Sequence, residues 1–333
     1  MITKKLKLKY LIQSLKKLQG YMEDKNLLNP FNSNNLIGID NYFNELVTLY
    51  NSNTFPKILL LSGKKGSGKF TLVVHLLNYI FSKNTYNLKE KSFDLESSFH
   101  NKLINNLSEN VIFLKHKESE NIKIENIRNL KSTISKHSIN NKSRFIILDD
   151  VEKYNINSSN ALLKILEEPS ENNFFILIDN KENKIIETIS SRAIKMNIFL
   201  TKVQKKKIIQ FLLQKNKIKS IMNFDYLDIS PGLFLEYNHL LSKNNVHEEL
   251  NFTEKIEKIL NLYKKNKDQK LISLAINITE SHFFYLYRKN VNRPIELNEI
   301  KNKIIYLINN FVKYNLNLKT VFNSIKSQFN NAK

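Results

Sequence analysis

Cysteine and tryptophan are both absent from the 333-residue sequence. The lack of cysteine excludes disulfide bonds, thiolate zinc sites and cysteine nucleophiles, and it is typical of an intracellular protein. No apolar run approaches the roughly 18 residues that a bilayer span needs, so we expect a cytoplasmic protein without a membrane partner. The hydrophobic content of 41% is nevertheless enough to form buried cores.

Arginine, glycine and proline are also scarce. The chain has six glycines, five prolines and 52 basic residues, of which five are arginine. A net charge of +21 favours nucleic-acid binding. However, Lys, Asn, Ile and Phe share AT-rich codons, so we attribute much of this charge to genomic composition. Where arginine is this rare, each one is a candidate for a role that needs its planar five-donor guanidinium.

Residues 1–30 form a basic extension. Its apolar residues have helical spacing: Leu8, Leu11, Ile12, Leu15 and Leu18. The segment lacks the apolar core of a secretory signal and the arginines of a transit peptide. We interpret it as a solvated extension, with a membrane-surface or partner-binding helix as the alternative. Met22 is an alternative start, in which case the first residues are not translated.

The first motif with a definite chemistry follows a predicted buried strand at residues 57–62. The strand runs into Gly63-Lys64-Lys65-Gly66-Ser67-Gly68-Lys69-Phe70-Thr71, and a helix follows. Strand, glycine-rich turn, lysine and helix are the context of a P-loop. Its glycines let backbone N–H groups surround phosphate oxygens, and Lys69 would reach the β- and γ-phosphates of ATP. A glycine-rich surface turn is the alternative.

One residue departs from the P-loop pattern. The hydroxyl residue that ligates Mg²⁺ directly after the lysine is replaced by Phe70. Thr71 does not take over, because one step along a helix rotates a side chain by about 100°. The substitution leaves nucleotide binding open and argues against Mg²⁺-dependent hydrolysis.

Further along, a polar connection over 84–110 leads to a second predicted strand at 111–114 and a helix at 122–134. The next apolar run, 144–148, ends in Asp149 and Asp150. This resembles a Walker B strand, in which Asp149 would hold Mg²⁺ and Asp150 would polarise the attacking water. Alone, an apolar run before two aspartates is common. Because this run lies about 80 residues after the P-loop, we favour the interpretation as a Walker B strand.

The most specific segment covers residues 157–193. Asn157, Ser158 and Ser159 offer N-caps for a helix through Glu168, which Pro169 ends. A predicted strand at 173–178 then leads through Asp179 and Asn180 to Ser191-Arg192-Ala193.

"NALLKILEEP", the strand and "TISSRA" together resemble the clamp-loader branch of the AAA+ ATPases, most of all its bacterial DNA polymerase III delta-prime members. "LIG" at 36–38 and "IENIRNLK" at 124–131 agree. The resemblance is strong over 36–192, moderate to about residue 240 and faint beyond.

The resemblance implies roles for several residues. Arg192 matches the family's arginine finger, which enters the ATP site of a neighbouring subunit; a structural arginine at a strand end is the alternative. Asn180 is the better match to the sensor at the γ-phosphate, since the carboxylate of Asp179 would repel phosphate. Ala193 replaces a cysteine of the motif, and Leu233 stands where motor subunits carry a sensor arginine.

No cysteine and only scattered histidines remain for the family's zinc module, so we expect no zinc. The histidines are predicted to be core or surface residues: His75, His100, His116, His137, His239, His247 and His282.

The predicted fold class is α/β: an AAA+ P-loop domain with a doubly wound parallel sheet (31–200), an α-helical lid (201–245) and an α-helical collar (246–333). We expect a delta-prime-like subunit with little or no ATPase of its own. Its implied partners are gamma/tau-type motor subunits, a delta-type subunit, the sliding clamp and primed DNA through the complex. The alternatives are a gamma/tau-type motor, a scaffold that binds no nucleotide, and an autonomous P-loop enzyme, which would leave the segment 157–193 unexplained.

Overall fold

The structure is a computed structural model that divides into two compact units. It describes residues 29–114, 124–134, 143–223, 225, 227–289 and 293–330. The first unit runs to Ile208 and includes Ser230–Leu233, while the second contains Ile209–Ile229 and the residues from Phe234 onward. The expectations for residues 1–28 and for His116 and His137 lie outside the described residues. The lid and collar boundaries stay predictions.

A five-stranded parallel sheet forms the centre of the first unit. Its strands lie in the order β4-β5-β6-β1-β7. Their bounds are β1 (Ile58–Ser62), β4 (Val111–Leu114), β5 (Arg144–Leu148), β6 (Asn173–Asp179) and β7 (Ile194–Asn197). All residues of β1 and β5 are buried, as expected for parallel strands covered on both faces. A separate antiparallel hairpin consists of β2 (Tyr86–Asn87) and β3 (Ser92–Phe93).

Helices cover the sheet. Those of the first unit are α1 (Asp40–Asn51), α2 (Lys69–Phe81), α3 (Ser98–Ile104), α4 (Ile124–Ile134), α5 (Ile156–Leu166) and α6 (Glu187–Ser190), and α7 (Lys202–Lys215) continues into the second unit. Residues of α4, α5 and α6 share one hydrophobic core with alternate residues of β1, β5 and β6. The intervening residue Phe145 instead contacts Tyr50 of α1 and Phe81 of α2. The predicted α/β class with a parallel sheet is therefore confirmed.

Two local predictions need correction. The predicted N-cap at 157–159 is wrong, because α5 begins at Ile156 and its N-cap is Asn155, whose side chain accepts a 2.8 Å hydrogen bond from the Ser158 N–H. Ser158 and Ser159 are buried instead. The polar connection over 84–110, for which the sequence predicted no elements, contains β2, β3 and α3, which are too short to show a periodic pattern.

The second unit is helical. Its helices are α8 (Pro231–Lys243, whose first residues belong to the first unit), α9 (Phe252–Asn266), α10 (Gln269–Lys289), α11 (Pro294–Lys313) and α12 (Leu318–Asn330). Helix α9 starts with a capping box formed by Asn251 and Glu254. Successive helices from α9 to α12 pack on one another, and α9 also packs on α12. Within the described chain, no helix is both long and apolar enough to cross a membrane.

Candidate functional site

The loop between β1 and α2 depends on its three glycines. Gly66 and Gly68 have φ angles of +77° and +90°, in the left-handed region that favours glycine. A Cβ atom at Gly63 would lie 2.6 Å from the backbone oxygen of Ile198. The glycine-rich turn is thus required by the backbone path, and α2 begins directly at Lys69.

Lys69 is buried against the loop itself. It is 2% exposed, and its Nζ donates hydrogen bonds to the backbone oxygens of Gly63 at 2.7 Å and Lys64 at 2.9 Å. Burial lowers the pKa of Lys69 to about 8, although nearby carboxylates, led by that of Asp149, act in the opposite direction. The ammonium group expected to bind phosphate therefore already has partners in the chain.

Phe70 belongs to an aromatic cluster. Its ring stacks on Phe113 of β4 with 5.7 Å between centroids, and it meets Phe31 edge-on at 5.4 Å. Phe31 also contacts Phe113, so the three rings form one cluster. The substitution removes the hydroxyl of the P-loop pattern and adds packing between α2, β4 and the segment around residue 31.

A distant segment of the first unit, Ser230–Leu233, lies against the loop. The Gly232 N–H donates a 2.9 Å hydrogen bond to the oxygen of Gly66, and the Ser230 hydroxyl donates to the oxygen of Lys65. A Cβ atom at Gly232 would lie 2.8 Å from the Gly66 Cα, and one at Gly66 would lie 2.7 Å from the Leu233 nitrogen. Two backbones therefore touch at a pair of glycines, which we call the Gly66–Gly232 contact.

The remaining described glycine lies nearby. A Cβ atom at Gly38 would meet the side chain of Ile208 at 2.7 Å, and the neighbouring Ile39 side chain approaches Gly68. All five glycines of the described residues thus lie in this loop or next to it.

The carboxylates after β5 lie in a network of ion pairs and hydrogen bonds. Asp150, at a φ of +51°, accepts a 2.6 Å hydrogen bond from the Asn180 amide. Lys153 lies 3.6 Å from Asp150 and 2.6 Å from Glu182, which Lys65 of the P-loop also approaches at 3.5 Å. The ammonium groups of Lys65 and Lys153 thus pair with two carboxylates, those of Asp150 and Glu182.

Glu152 completes the cluster. Oxygens of Asp150, Glu152 and Glu182 lie within 4.8 Å of one another, an arrangement that could hold a cation. Burial raises the pKa of the Glu152 carboxyl. Asp149, the residue predicted to bind Mg²⁺, is not part of this group, and its Oδ1 accepts a 3.0 Å hydrogen bond from the Asp150 N–H.

Asp179 and Asn180 have different surroundings. Asp179 is buried, and its carboxylate accepts hydrogen bonds from the Ser62 hydroxyl at 2.6 Å and the Lys181 N–H at 2.9 Å. It therefore stabilises the end of β6 beside β1. The Asn180 side chain instead points to Asp150.

Arg192 lies apart from these residues. Because β7 pairs in parallel with β1, with Ile194 opposite Leu59, Arg192 lies at the amino end of the sheet, whereas the P-loop follows its carboxyl end. Its Nη2 lies 2.9 Å from a carboxylate oxygen of Glu167, and its Nη1 donates a 3.0 Å hydrogen bond to the backbone oxygen of Thr188. The structure brings Lys69, Asp150 and Asn180 to one end of the sheet and Arg192 to the other.

Sequence reasoning missed three residues of the P-loop end: Glu152, Lys153 and Glu182. They are charged residues of ordinary appearance, and only the folded chain brings them to the loop. The turn Ser230-Pro231-Gly232-Leu233 was identified only through the family's sensor arginine, and its contact with the P-loop was not predicted.

Comparison with known proteins gives consistent matches. A family model described as "DNA polymerase III, delta subunit" matches residues 38–201. The DNA polymerase III subunit delta' of Buchnera aphidicola subsp. Schizaphis graminum is 28% identical over 248 residues, which cover 69% of this chain and 71% of that protein. The subunit gamma/tau of Mycoplasma genitalium is 26% identical over 245 residues, 71% of this chain and 40% of that protein.

Among solved structures, a DNA polymerase III gamma subunit-related protein from Thermotoga maritima aligns with a TM-score of 0.46 and 17% identity. The alignment covers 86% of this chain and 99% of that one.

The family match and the fold agree. The matched residues contain the P-loop, the Asp149–Asp150 strand end, the sheet and Arg192. The match over residues 38–201 and the relatives named DNA polymerase III subunit delta' support the identification of this chain as a delta-prime-type clamp-loader subunit with an AAA+ fold.

Proposed function

We propose that this chain supports the loading of a sliding clamp onto primed DNA by supplying Arg192 to the ATP site of a neighbouring gamma/tau-type motor subunit. The observation that carries the proposal is the separation of Arg192 from the chain's own P-loop. From Leu59, opposite Ile194, to the loop at Gly63 the chain advances about 13 Å at ~3.3 Å per residue. Any nucleotide phosphate that Arg192 contacts therefore belongs to another chain.

The chemistry of Arg192 suits that role. A guanidinium placed at a γ-phosphate neutralises the charge that develops during hydrolysis, an effect worth about 10³–10⁵ in rate. The Arg192 side chain is 37% exposed, so a neighbouring subunit can reach it. Within the part of the chain that the structure describes, Glu167 and Thr188 accept from two of its five N–H groups.

The chain's own P-loop does not fit Mg²⁺-ATP. No hydroxyl follows Lys69, the Lys69 ammonium is bonded to loop carbonyls, and Ser230–Leu233 lies on the loop. We therefore propose that the chain contributes little or no hydrolysis of its own.

Hydrolysis by a reconstituted clamp loader tests the role of Arg192. We expect Arg192→Ala to leave assembly intact and to slow hydrolysis at the adjacent motor site by about 10³-fold. Arg192→Lys should rescue little, since lysine lacks the two-pronged guanidinium. Lys195→Ala, an exposed change of equal charge three residues away, is the matched control. Unchanged single-turnover hydrolysis in the Arg192→Ala complex would contradict the proposal.

The similarity to a gamma/tau subunit supports a second candidate, an ATP-hydrolysing motor. Hydrolysis by the purified chain separates the two functions. A motor subunit would hydrolyse ATP with Mg²⁺, whereas we expect no turnover above background. Calorimetric titration with ATP, with and without Mg²⁺, shows in addition whether nucleotide binds at all.

A further inference from the structure

We infer that Glu167 is a positioning residue for Arg192, an inference that rests on the proposed function. Glu167 ends the helix that begins beyond the Asp149–Asp150 strand end, and it holds one nitrogen of the guanidinium. By fixing the direction of the arginine before a neighbour arrives, it would speed hydrolysis at the neighbour's ATP site without touching the nucleotide.

Two contacts on different nitrogens orient the guanidinium. Nη2 pairs with the Glu167 carboxylate at 2.9 Å, and Nη1 bonds the Thr188 oxygen at 3.0 Å. A planar group held at two points loses rotation about its long side chain, which is otherwise one of the most mobile in proteins. The Nε–H and one N–H on each Nη remain to bind phosphate oxygens.

Glu167 and Thr188, which hold the guanidinium, both adjoin residues that are packed in the hydrophobic core. Helix α5 buries Leu162, Ile165 and Leu166, so its carboxyl end at Glu167 has a fixed position. Thr188 precedes Ile189, which is 0% exposed and belongs to the same hydrophobic core. The two contacts to Arg192 therefore start from parts of the structure that packing holds rigid.

Helix stability does not explain a glutamate at this position. A negative charge at a helix carboxyl end is unfavourable, because the helix dipole is negative there. Glu168, the next residue, carries the same charge and is exposed without contacting Arg192. Glu167 differs from it by the contact to the guanidinium, and Glu168 is consequently a matched control.

The test measures hydrolysis by the reconstituted clamp loader. We expect Glu167→Ala to lower kcat about fivefold with KM unchanged, since nucleotide binding by the motor subunit does not involve this residue. Glu167→Gln, which keeps a hydrogen-bond acceptor, should restore part of the loss, and Glu168→Ala should have no effect. Thermal unfolding of each isolated variant checks that the chain remains folded. An unchanged or raised kcat in Glu167→Ala would overturn the inference.

A double-mutant cycle separates positioning from any other role. If Glu167 acts through Arg192, then Glu167→Ala should cause no further loss in the Arg192→Ala background. An equal additional loss would overturn the inference while leaving the proposed function intact. If Arg192→Ala itself has no effect, the proposed function fails and the inference fails with it.

Discussion

The two ends of one parallel sheet differ in how the chain satisfies its charged groups. At the P-loop end, Lys69 is 2% exposed and bonded to backbone oxygens of its own loop, and Lys65 and Lys153 pair with Glu182. At the opposite end, Arg192 remains 37% exposed and uses two of its five N–H groups. The lysines of the P-loop end are thus paired within the chain, whereas Arg192 keeps part of its guanidinium exposed.

This difference agrees with the proposal that the P-loop of this chain hydrolyses little or no ATP. The glycines, the lysine and the helix start are all present, but the Lys69 ammonium is bonded to loop carbonyls. Ser230 and Gly232 in addition donate to the carbonyl oxygens of Lys65 and Gly66. Arg192 also has internal partners, Glu167 and Thr188, but they use only part of its guanidinium. Three substitutions at the P-loop end test what its internal contacts contribute to stability and hydrolysis.

The largest expected effect comes from Gly66→Ala. An alanine at this position would have to keep the left-handed φ of the glycine, which costs about 1–2 kcal/mol. Its Cβ would lie 2.7 Å from the Leu233 nitrogen, and this steric overlap adds about 1–3 kcal/mol. We expect the free energy of unfolding to fall by about 4 kcal/mol in urea. Gly68→Ala imposes the same backbone cost, but its Cβ would meet only a side chain, at 3.2 Å, so the free energy of unfolding should fall by less. Equal losses in the two variants would show that the Gly66–Gly232 contact adds no stability.

The pH dependence of stability tests the burial of Lys69. Its pKa falls from 10.5 to about 8 on folding, so between these pH values the unfolded chain binds more protons. The free energy of unfolding should therefore rise by about 3 kcal/mol as the pH increases from 8 to 10.5. Lys69→Met should remove this rise, measured as the difference between urea titrations at several pH values.

The control is Lys65→Met, at a loop lysine whose side chain is 41% exposed. In Lys65→Met, the free energy of unfolding should still rise with pH. A rise that persists unchanged in Lys69→Met would show that another group causes it.

The smallest expected effect belongs to Phe70→Thr, which restores the hydroxyl of the P-loop pattern. Loss of the contacts to Phe31 and Phe113 should lower the free energy of unfolding by about 2 kcal/mol. The purified variant should still lack Mg²⁺-dependent ATP hydrolysis, because Lys69 and Ser230–Leu233 remain in place. Phe70→Leu, which keeps an apolar side chain, should lose less stability. Turnover in Phe70→Thr would show instead that the missing hydroxyl alone prevents hydrolysis.

The sequence predicted those features that depend on local pattern. Apolar runs gave β1, β5 and β6, and glycine spacing gave the turn before α2. The Gly66–Gly232 contact was not predictable, since it joins segments more than 160 positions apart by backbone atoms, which carry no residue signal. The N-cap of α5 was misplaced because several residues there are good caps and only the helix path distinguishes Asn155.

At the Arg192 end, too, contacts between separate segments could not be predicted. The scarcity of arginine drew attention to Arg192, and the sequence contained Glu167 within the motif "NALLKILEEP". Their pairing, however, depends on how α5 and α6 pack in the core. Composition could single out Arg192 as a candidate and could not indicate which residues hold it.

The Gly66–Gly232 contact limits the residues that two distant positions of the sequence can carry. A Cβ atom at Gly66 would lie 2.7 Å from the Leu233 nitrogen, and one at Gly232 would lie 2.8 Å from the Gly66 Cα. Because the backbone of each segment excludes a side chain on the other, we expect related sequences that keep this contact to keep glycine at both positions. Two single glycines, 166 positions apart, should therefore be retained or lost together.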